Sequence, residues 1–512
     1  IWNHIEPGET PVTVTGLSPV HRAQLAAALR LRSGRPLLML CSDEREVQRQ
    51  AADLACLTGE EPVVLPGREW QLRPVAAVSR QWECRRLEAL HRCASGAPVV
   101  VTTAEALAQR CIPPQVLERA ALTLEVGGRY DAPALAGQLT DAGYARCDRV
   151  EGPGQFAMRG GILDVFSPGM EKPVRCEFFD DEIDSLGEFE LDTQRRSRNL
   201  ERALLLPAAE VLPALGDAGA AEKLERIAAK LEKKGGADAL VKTLRGDAES
   251  LRRHIVPSGS DRVLAAVYPQ KITAADYLAP QTIVVAGESG RIAESLKGFL
   301  WQLKEDAWLA GELAELALSE GELTAKLGAF ALCQMESLPT SRYLLAPRAL
   351  LQITAKQLSA YGGSLDTAAT DLVHYLTGGY RVLVLCGGEV RARNLLRLLQ
   401  ERKIPAALDL AGAHDPEKDA VQISVGALSA GCEYPELRLA VLTEGQLTAK
   451  VAGREKKPRR VRTTGGSKLQ SWADLTPGDL VVHEQHGIGR FVAMLRIPVD
   501  GVEKDYIKIA YA

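Results

Sequence analysis

The segment Leu37-Leu-Met-Leu-Cys41-Ser-Asp43-Glu-Arg-Glu46 passes from a short, wholly apolar run through a polar turn into a charged amphipathic helix. The same order returns at Thr282 to Ala286, followed by Gly287-Glu-Ser-Gly-Arg291, and at Val382 to Cys386, followed by Gly387-Gly-Glu-Val-Arg391. Apolar runs of this length bounded by turn residues suit parallel strands buried on both faces, with the helices as crossovers. The fold class expected is multi-domain, built mainly of α/β layers.

Two regions depart from that order. From about Leu122 to Pro207 the pattern becomes antiparallel, with strands at Ile162 to Phe166 and Val174 to Phe179 joined through Ser167-Pro168-Gly169, an α+β insert. From Leu475 the chain reads as all-β. A turn at Pro477-Gly478-Asp479 precedes a strand from Val481 to Glu484, a bend at Gly487-Ile-Gly489, and a hairpin signal at Asp500-Gly501 before Tyr506 to Tyr511. Three strands are too few to close a small barrel. Together with Ile1 in place of a starting Met, this leads to the expectation that the sequence is a piece of a longer protein.

Between these regions, Ala220 to Ile255 is charged and helical, broken into two helices at Lys233-Lys-Gly-Gly236. Val451 to Gln470 carries Arg454, Lys456, Lys457, Arg459, Arg460 and Arg462 without apolar periodicity, and reads as a flexible basic linker, with a DNA-binding arm as the alternative.

At 512 residues the chain needs about three or four domains. Its 46% hydrophobic and 25% charged residues exclude disordered and fibrous classes. A net charge of -4 argues against a whole surface devoted to nucleic acid, so any DNA contact is local or supplied elsewhere. The ten cysteines, from Cys41 to Cys432, stand singly without zinc-ligand spacing, so they read as small core residues of a reducing cytosol, and no metal is expected. The longest apolar runs fall short of the roughly 18 residues of a membrane span, and the opening residues do not read as a leader, so a cytoplasmic location without a membrane partner is expected.

A working phosphate loop bares backbone amides with glycines and supplies a Lys for the phosphates and a Ser or Thr for magnesium. Thr15-Gly16-Leu-Ser-Pro-Val-His21-Arg22-Ala23 sits in the right place, after the strand-like Pro11 to Val14 and before a helix from Gln24 to Leu31. His21 stands for the second Gly, Arg22 for the Lys and Ala23 for the hydroxyl residue, so the turn is either a degenerate phosphate loop or an ordinary strand-to-helix turn, and in neither case holds a triphosphate. The acidic string Cys176-Glu-Phe-Phe-Asp180-Asp181-Glu182 lies in the antiparallel insert away from that turn and reads as an acidic turn. His483-Glu-Gln-His486 has i, i+3 spacing in a strand-and-glycine context, unlike the i, i+4 helical zinc motif. The histidines lie apart from any nucleophile elbow, so no catalytic residue is expected.

The pleat of Val174 to Phe179 is more informative. Val174, Cys176 and Phe178 point one way, and Arg175, Glu177 and Phe179 the other. An aromatic beside an Arg on a charged face has the composition of a protein-binding hot spot, and Arg159, just before Gly160-Gly161, could reach it from a neighbouring strand. The alternative is a rim aromatic covering the edge of the core.

The string from Gly143-Tyr144 through Arg149-Val-Glu-Gly-Pro-Gly-Gln-Phe-Ala-Met-Arg159-Gly-Gly-Ile-Leu-Asp-Val-Phe166 to Arg175-Cys-Glu-Phe-Phe-Asp-Asp-Glu-Ile-Asp-Ser-Leu186 resembles the UvrA-binding domain shared by UvrB and the bacterial transcription-repair coupling factors, the Mfd family. The stretch Gly478-Asp-Leu-Val-Val-His-Glu-Gln-His-Gly-Ile-Gly-Arg490-Phe resembles the RNA-polymerase-interacting domain of that family, which is related to the CarD regulators and which UvrB lacks. The pair points to the coupling factors.

The resemblance implies a UvrB-like α/β domain with a degenerate phosphate loop at 1–121, resuming at 208–345 after a UvrA-binding insert at 122–207. It further implies a small α/β domain at 346–450, the linker at 451–470, and a truncated SH3-like, CarD-like barrel at 471–512. It places UvrA contacts at Arg159, Arg175 and Phe179, and contacts with the RNA polymerase β subunit at Leu495, Arg496 and Ile497. ATP, magnesium and double-stranded DNA would belong to motor domains beyond Ala512, with no cofactor in this segment, and the chain would be a monomer. The reading is an adaptor joining stalled polymerase to UvrA. The rivals are an active UvrB-like helicase, which the missing Lys at position 22 opposes, and a CarD-like regulator without a repair role, which leaves the Arg159 to Leu186 string unexplained.

Overall fold

The computed structural model describes residues 1–70, 72, 81–234, 238–257, 259–305, 313, 315–359, 361, 365–412, 414–447, 480–483, 487–499 and 502–511. They belong to two compact units, one within Ile1–Pro74 and Arg80–Lys450, the other within Val451–Ala512.

The first unit opens with strands Val12–Thr15 (β1), Leu37–Cys41 (β2), Val63–Leu65 (β3) and Val99–Thr103 (β4). The chain then leaves for an insert of Leu122–Glu125 (β5), Ala145–Arg146 (β6), Gln155–Arg159 (β7), Ile162–Phe166 (β8), Val174–Phe179 (β9), Glu182–Phe189 (β10), Arg196–Asn199 (β11) and Arg202–Leu205 (β12). It returns as Ile283–Gly287 (β13), Ala331–Glu336 (β14) and Ala349–Gln352 (β15). The first and last groups make one seven-stranded sheet of order β15-β1-β14-β13-β2-β4-β3, parallel at every pairing.

Every residue of β2 is fully buried. Leu38 and Leu40 enter the core on one face of the sheet, while Leu37, Met39 and Cys41 enter the core on the other. That division is the reason an unbroken apolar run marks a central parallel strand: the pleat sends alternate side chains to opposite faces, and helices cover both. Each such Leu or Met contributes about 1.5–3 kcal/mol by leaving water.

In the insert, β6 to β11 form a six-stranded sheet of order β11-β10-β9-β8-β7-β6. Its pairings are antiparallel except for the two-residue β6, which runs parallel to β7 because a loop rather than a tight hairpin separates them. One face of the sheet buries Phe156, Leu163, Val165, Val174, Cys176, Ile183 and Leu186 in a cluster with Leu135 and Leu139 of the helix Ala132–Asp141. The acidic string is a hairpin turn, Asp180 (φ 61°) and Asp181 linking β9 to β10. Where the insert rejoins the chain, buried Glu210 lies 3.1 Å from Arg68 Nη1 and 3.1 Å from Arg86 Nε.

The helices Ala220–Lys233 and Asp238–Arg252 follow, as the charge pattern predicts, and bury Leu224, Ala228, Leu244 and Ala248. The second α/β layer contains Lys356–Leu358 (β16), Arg381–Cys386 (β17), Ala406–Leu408 (β18), Val421–Val425 (β19), Gly431–Tyr434 (β20) and Leu439–Thr443 (β21), in the order β16-β20-β21-β17-β19-β18. Its β17, β18, β19 and β21 are parallel, and β20 joins antiparallel. Strand β15, grouped with this layer by the sequence reading from 346 onward, instead pairs in parallel with β1 of the first sheet.

In the second unit, Leu480–His483 (β22), Gly487–Val499 (β23) and Val502–Ala510 (β24) form an open antiparallel sheet. The bend expected at Gly487-Ile-Gly489 is absent. These residues begin β23, with Gly487 facing His483 and Gly489 facing Val481, so the glycines serve the ladder rather than a turn. Among the described residues the strands do not close into a barrel. The basic run 451–470, the turn 477–479, Glu484 to His486 and the Asp500-Gly501 hairpin signal lie outside the described residues. Among the described residues no helix is long and apolar enough to cross a membrane.

Candidate functional site

The C-terminal ends of β1, β2, β13 and β14 lie at one edge of the seven-stranded sheet, so the turns that leave them converge. Arg22, in the first turn of the helix Pro19–Ser33 that follows β1, is 1% exposed there. Its Nη2 donates to Glu46 Oε1 at 2.7 Å and its Nη1 to Glu288 Oε1 at 2.5 Å. Glu336 accepts from the Ser289 amide at 3.0 Å, and burial pushes its carboxyl above the usual range. Two carboxylates thus pair with one guanidinium at the place where a phosphate loop would need positive charge.

Backbone fills the rest of that space. Gly16 has φ +89°, and a Cβ on it would lie 2.1 Å from the Ile353 carbonyl oxygen. The glycine admits the chain passing from the first sheet to the second layer, whose Ile353 amide donates to the Thr15 carbonyl at 3.0 Å. His21 caps the helix Pro19–Ser33 through Ser18, with Nδ1 2.8 Å from the Ser18 hydroxyl, and its ring meets Tyr434 edge-on at 5.2 Å. Burial lowers the His21 pKa. The same helix receives the Tyr434 hydroxyl on Gln24 Oε1 at 2.5 Å, and Asp53 of the next helix accepts from the Ser429 amide and hydroxyl at 2.7 and 2.6 Å. This helix end docks the second layer.

The other candidate is the outer face of the insert's sheet. Register places Arg159, Ile162 and Glu177 in one row across β7, β8 and β9, and Ala157, Asp164 and Arg175 in the next. Phe179, the following residue on that side of β9, is 79% exposed, and Ile162 is 37% exposed. The pleat divides as expected, with Val174 and Cys176 buried on the opposite side. Arg175 donates Nε and Nη2 to the two oxygens of Asp164 at 2.6 and 2.9 Å, and Arg159 Nη2 reaches the same carboxylate at 3.0 Å. That carboxylate holds the Arg175 pKa above its ordinary value. Beside them, the Ser185 hydroxyl donates to Glu177 at 2.7 Å and accepts from Arg196 at 2.8 Å. The face combines a fixed charge network with an exposed aromatic, a composition that can dock a protein.

Arg159, Arg175 and Phe179 stand out together in the sequence, whereas Asp164 does not. The available signal was an acid at the centre of the apolar Ile-Leu-Asp-Val-Phe strand. Likewise Glu46 and Glu288 were visible only as turn residues after their strands.

Two family models match the chain: the UvrB interaction domain over residues 122–210 and the CarD-like/TRCF RID domain over 475–512. Over its full length the chain is 27% identical to the transcription-repair-coupling factor of Bacillus subtilis, across 44% of that relative. Those of Staphylococcus haemolyticus and Staphylococcus aureus are 26% and 25% identical, each over 98% of this chain. The chain is similar over its length to the transcription-repair-coupling factors. It spans about 44% of the length of these relatives and corresponds to their N-terminal region.

Arg159, Arg175 and Phe179 lie in the part matched by the UvrB interaction domain. Leu495, Arg496 and Ile497 lie in β23, in the part matched by the CarD-like domain, opposite Tyr506, Asp505 and Lys504 of β24. Their side chains are outside the described residues, so only register places them. Eight of the ten cysteines are buried, with Cys147 partly covered and Cys56 exposed. Burial pushes the thiols of Cys93, Cys176 and Cys333 up to about 12, which suits inert core residues. Among the described residues no His, Cys, Asp and Glu group could hold a metal.

Proposed function

We propose that this chain is the adaptor portion of a transcription-repair-coupling factor, recruiting UvrA through the insert's outer face and holding RNA polymerase through the C-terminal strands. The observation that carries the reading is the presence of both domain matches on one chain. Arg159, Arg175 and Phe179 would make up the patch that docks UvrA, and Leu495, Arg496 and Ile497 would meet the polymerase β subunit.

On this reading the turn at Gly16 to Ala23 is a phosphate loop that has lost its ligand, because an anionic triphosphate would have to displace backbone and enter a group of carboxylates. ATP, magnesium and double-stranded DNA would then be handled beyond Ala512, in a cytoplasmic protein acting as a monomer. An active UvrB-like helicase is disfavoured by the Arg22 ion pairs. A polymerase-binding regulator alone leaves residues 122–210 without a use.

Pull-down tests the reading. The chain should capture UvrA, and the Arg175→Ala, Phe179→Ala double variant should lose that capture while still retaining the polymerase β subunit. Equal capture of UvrA by both proteins would refute the assigned patch.

A further inference from the structure

The outer face of the insert contains a carboxylate that the domain match does not single out. Asp164 is 1% exposed, and its two oxygens take three charge-assisted hydrogen bonds from Arg175 and Arg159. Arg175 is committed further. Its Nη1 donates to the Gln194 carbonyl at 3.3 Å, its Nη2 to Gln194 Oε1 at 3.1 Å, and its guanidinium carbon lies 4.5 Å from the centre of the Phe189 ring. The Arg175 side chain is 19% exposed, that of Arg159 53%.

The two arginines are therefore not equivalent. Among the described residues Arg159 donates only to Asp164, so most of its five N–H groups remain for an outside acceptor. Two guanidiniums on one carboxylate leave a net positive charge, and the geometry puts its exposed share on Arg159. A guanidinium held by a buried partner loses less freedom on binding than a free one.

We propose that Asp164 is the positioning residue of this docking surface. It fixes the Arg159 guanidinium on the same face as Phe179 and Ile162, Arg159 makes the polar contact, and Arg175 acts through Asp164 without touching the partner. The inference rests on the UvrA-docking reading and narrows what the partner presents: an apolar recess for Phe179 flanked by a carboxylate that meets Arg159.

The test is a set of double-mutant cycles on the whole chain, reading affinity for UvrA by titration calorimetry. Arg159→Ala, Arg175→Ala and Asp164→Asn should each weaken binding about tenfold, and adding either of the last two to Arg159→Ala should cost less than about a further twofold. Losses that multiply would show Arg175 touching UvrA directly and overturn the proposal, as would unchanged affinity in Asp164→Asn. Should Asp164→Asn fail to fold by circular dichroism, the Arg159 and Arg175 cycle decides alone. Phe179→Ala separates the levels: if it and Arg159→Ala both leave affinity unchanged, the docking reading itself fails and the inference with it.

Discussion

The turn after β1 and the outer face of the insert both place arginine against carboxylate, yet they end in opposite roles. Arg22, between Glu46 and Glu288, is itself buried, on a helix whose His21 and Gln24 meet the second α/β layer. Arg159 and Arg175, on either side of Asp164, stand on a sheet face that the described residues leave open beside an exposed Phe179. Ion-pair chemistry alone does not make a recognition site. What separates them is whether the protein's own chain covers the pair or leaves its apolar neighbour in water.

That contrast can be broken at its strongest point first. Arg22→Ala would strand the buried Glu46 beside the partly exposed Glu288, and the chain should lose about 3–5 kcal/mol of stability in urea unfolding. A loss below about 1 kcal/mol would mean that the buried guanidinium does not hold these carboxylates. The opposite behaviour is expected at Phe179. Phe179→Ala should change stability by no more than about 0.5 kcal/mol, because the ring is already in water, while lowering affinity for UvrA by about 2 kcal/mol. Loss of stability in place of affinity would turn Phe179 into a core residue and erase the distinction.

The smallest effect concerns pH at the closed site. Burial lowers the His21 pKa below its ordinary value of 6.5, so the folded chain favours the neutral ring. Below about pH 6.5 the unfolded chain takes up a proton that the folded one resists, so the stability His21 contributes is lost as pH falls through that value toward the folded pKa. His21→Asn should flatten this part of the stability profile between pH 7 and 5. An unchanged slope would assign it to other groups.

Much of the architecture was legible because it follows from local pattern. Leu37 to Cys41 could be placed as a central parallel strand since only burial on both faces tolerates an unbroken apolar run. The alternation through Val174 to Phe179 gave the buried and outer faces of the insert correctly, because a strand's period of two does not depend on what surrounds it. Glycine was less decisive. Gly487 and Gly489 read as a bend yet pair in the ladder of β23, since glycine permits a turn without requiring one.

By itself the sequence determined which strands are buried, that the turn at Gly16 lacks the residues for a triphosphate, and which side of β9 carries Arg175 and Phe179. Only the tertiary structure decided what Arg22 and Gly16 do instead, because their partners Glu288 and Ile353 lie hundreds of residues away and meet them only once the parallel sheet aligns its strand ends. Only it set Asp164 between two arginines from neighbouring strands, since which residues face one another across a sheet is fixed by pairing register, a long-range property that no local pattern encodes.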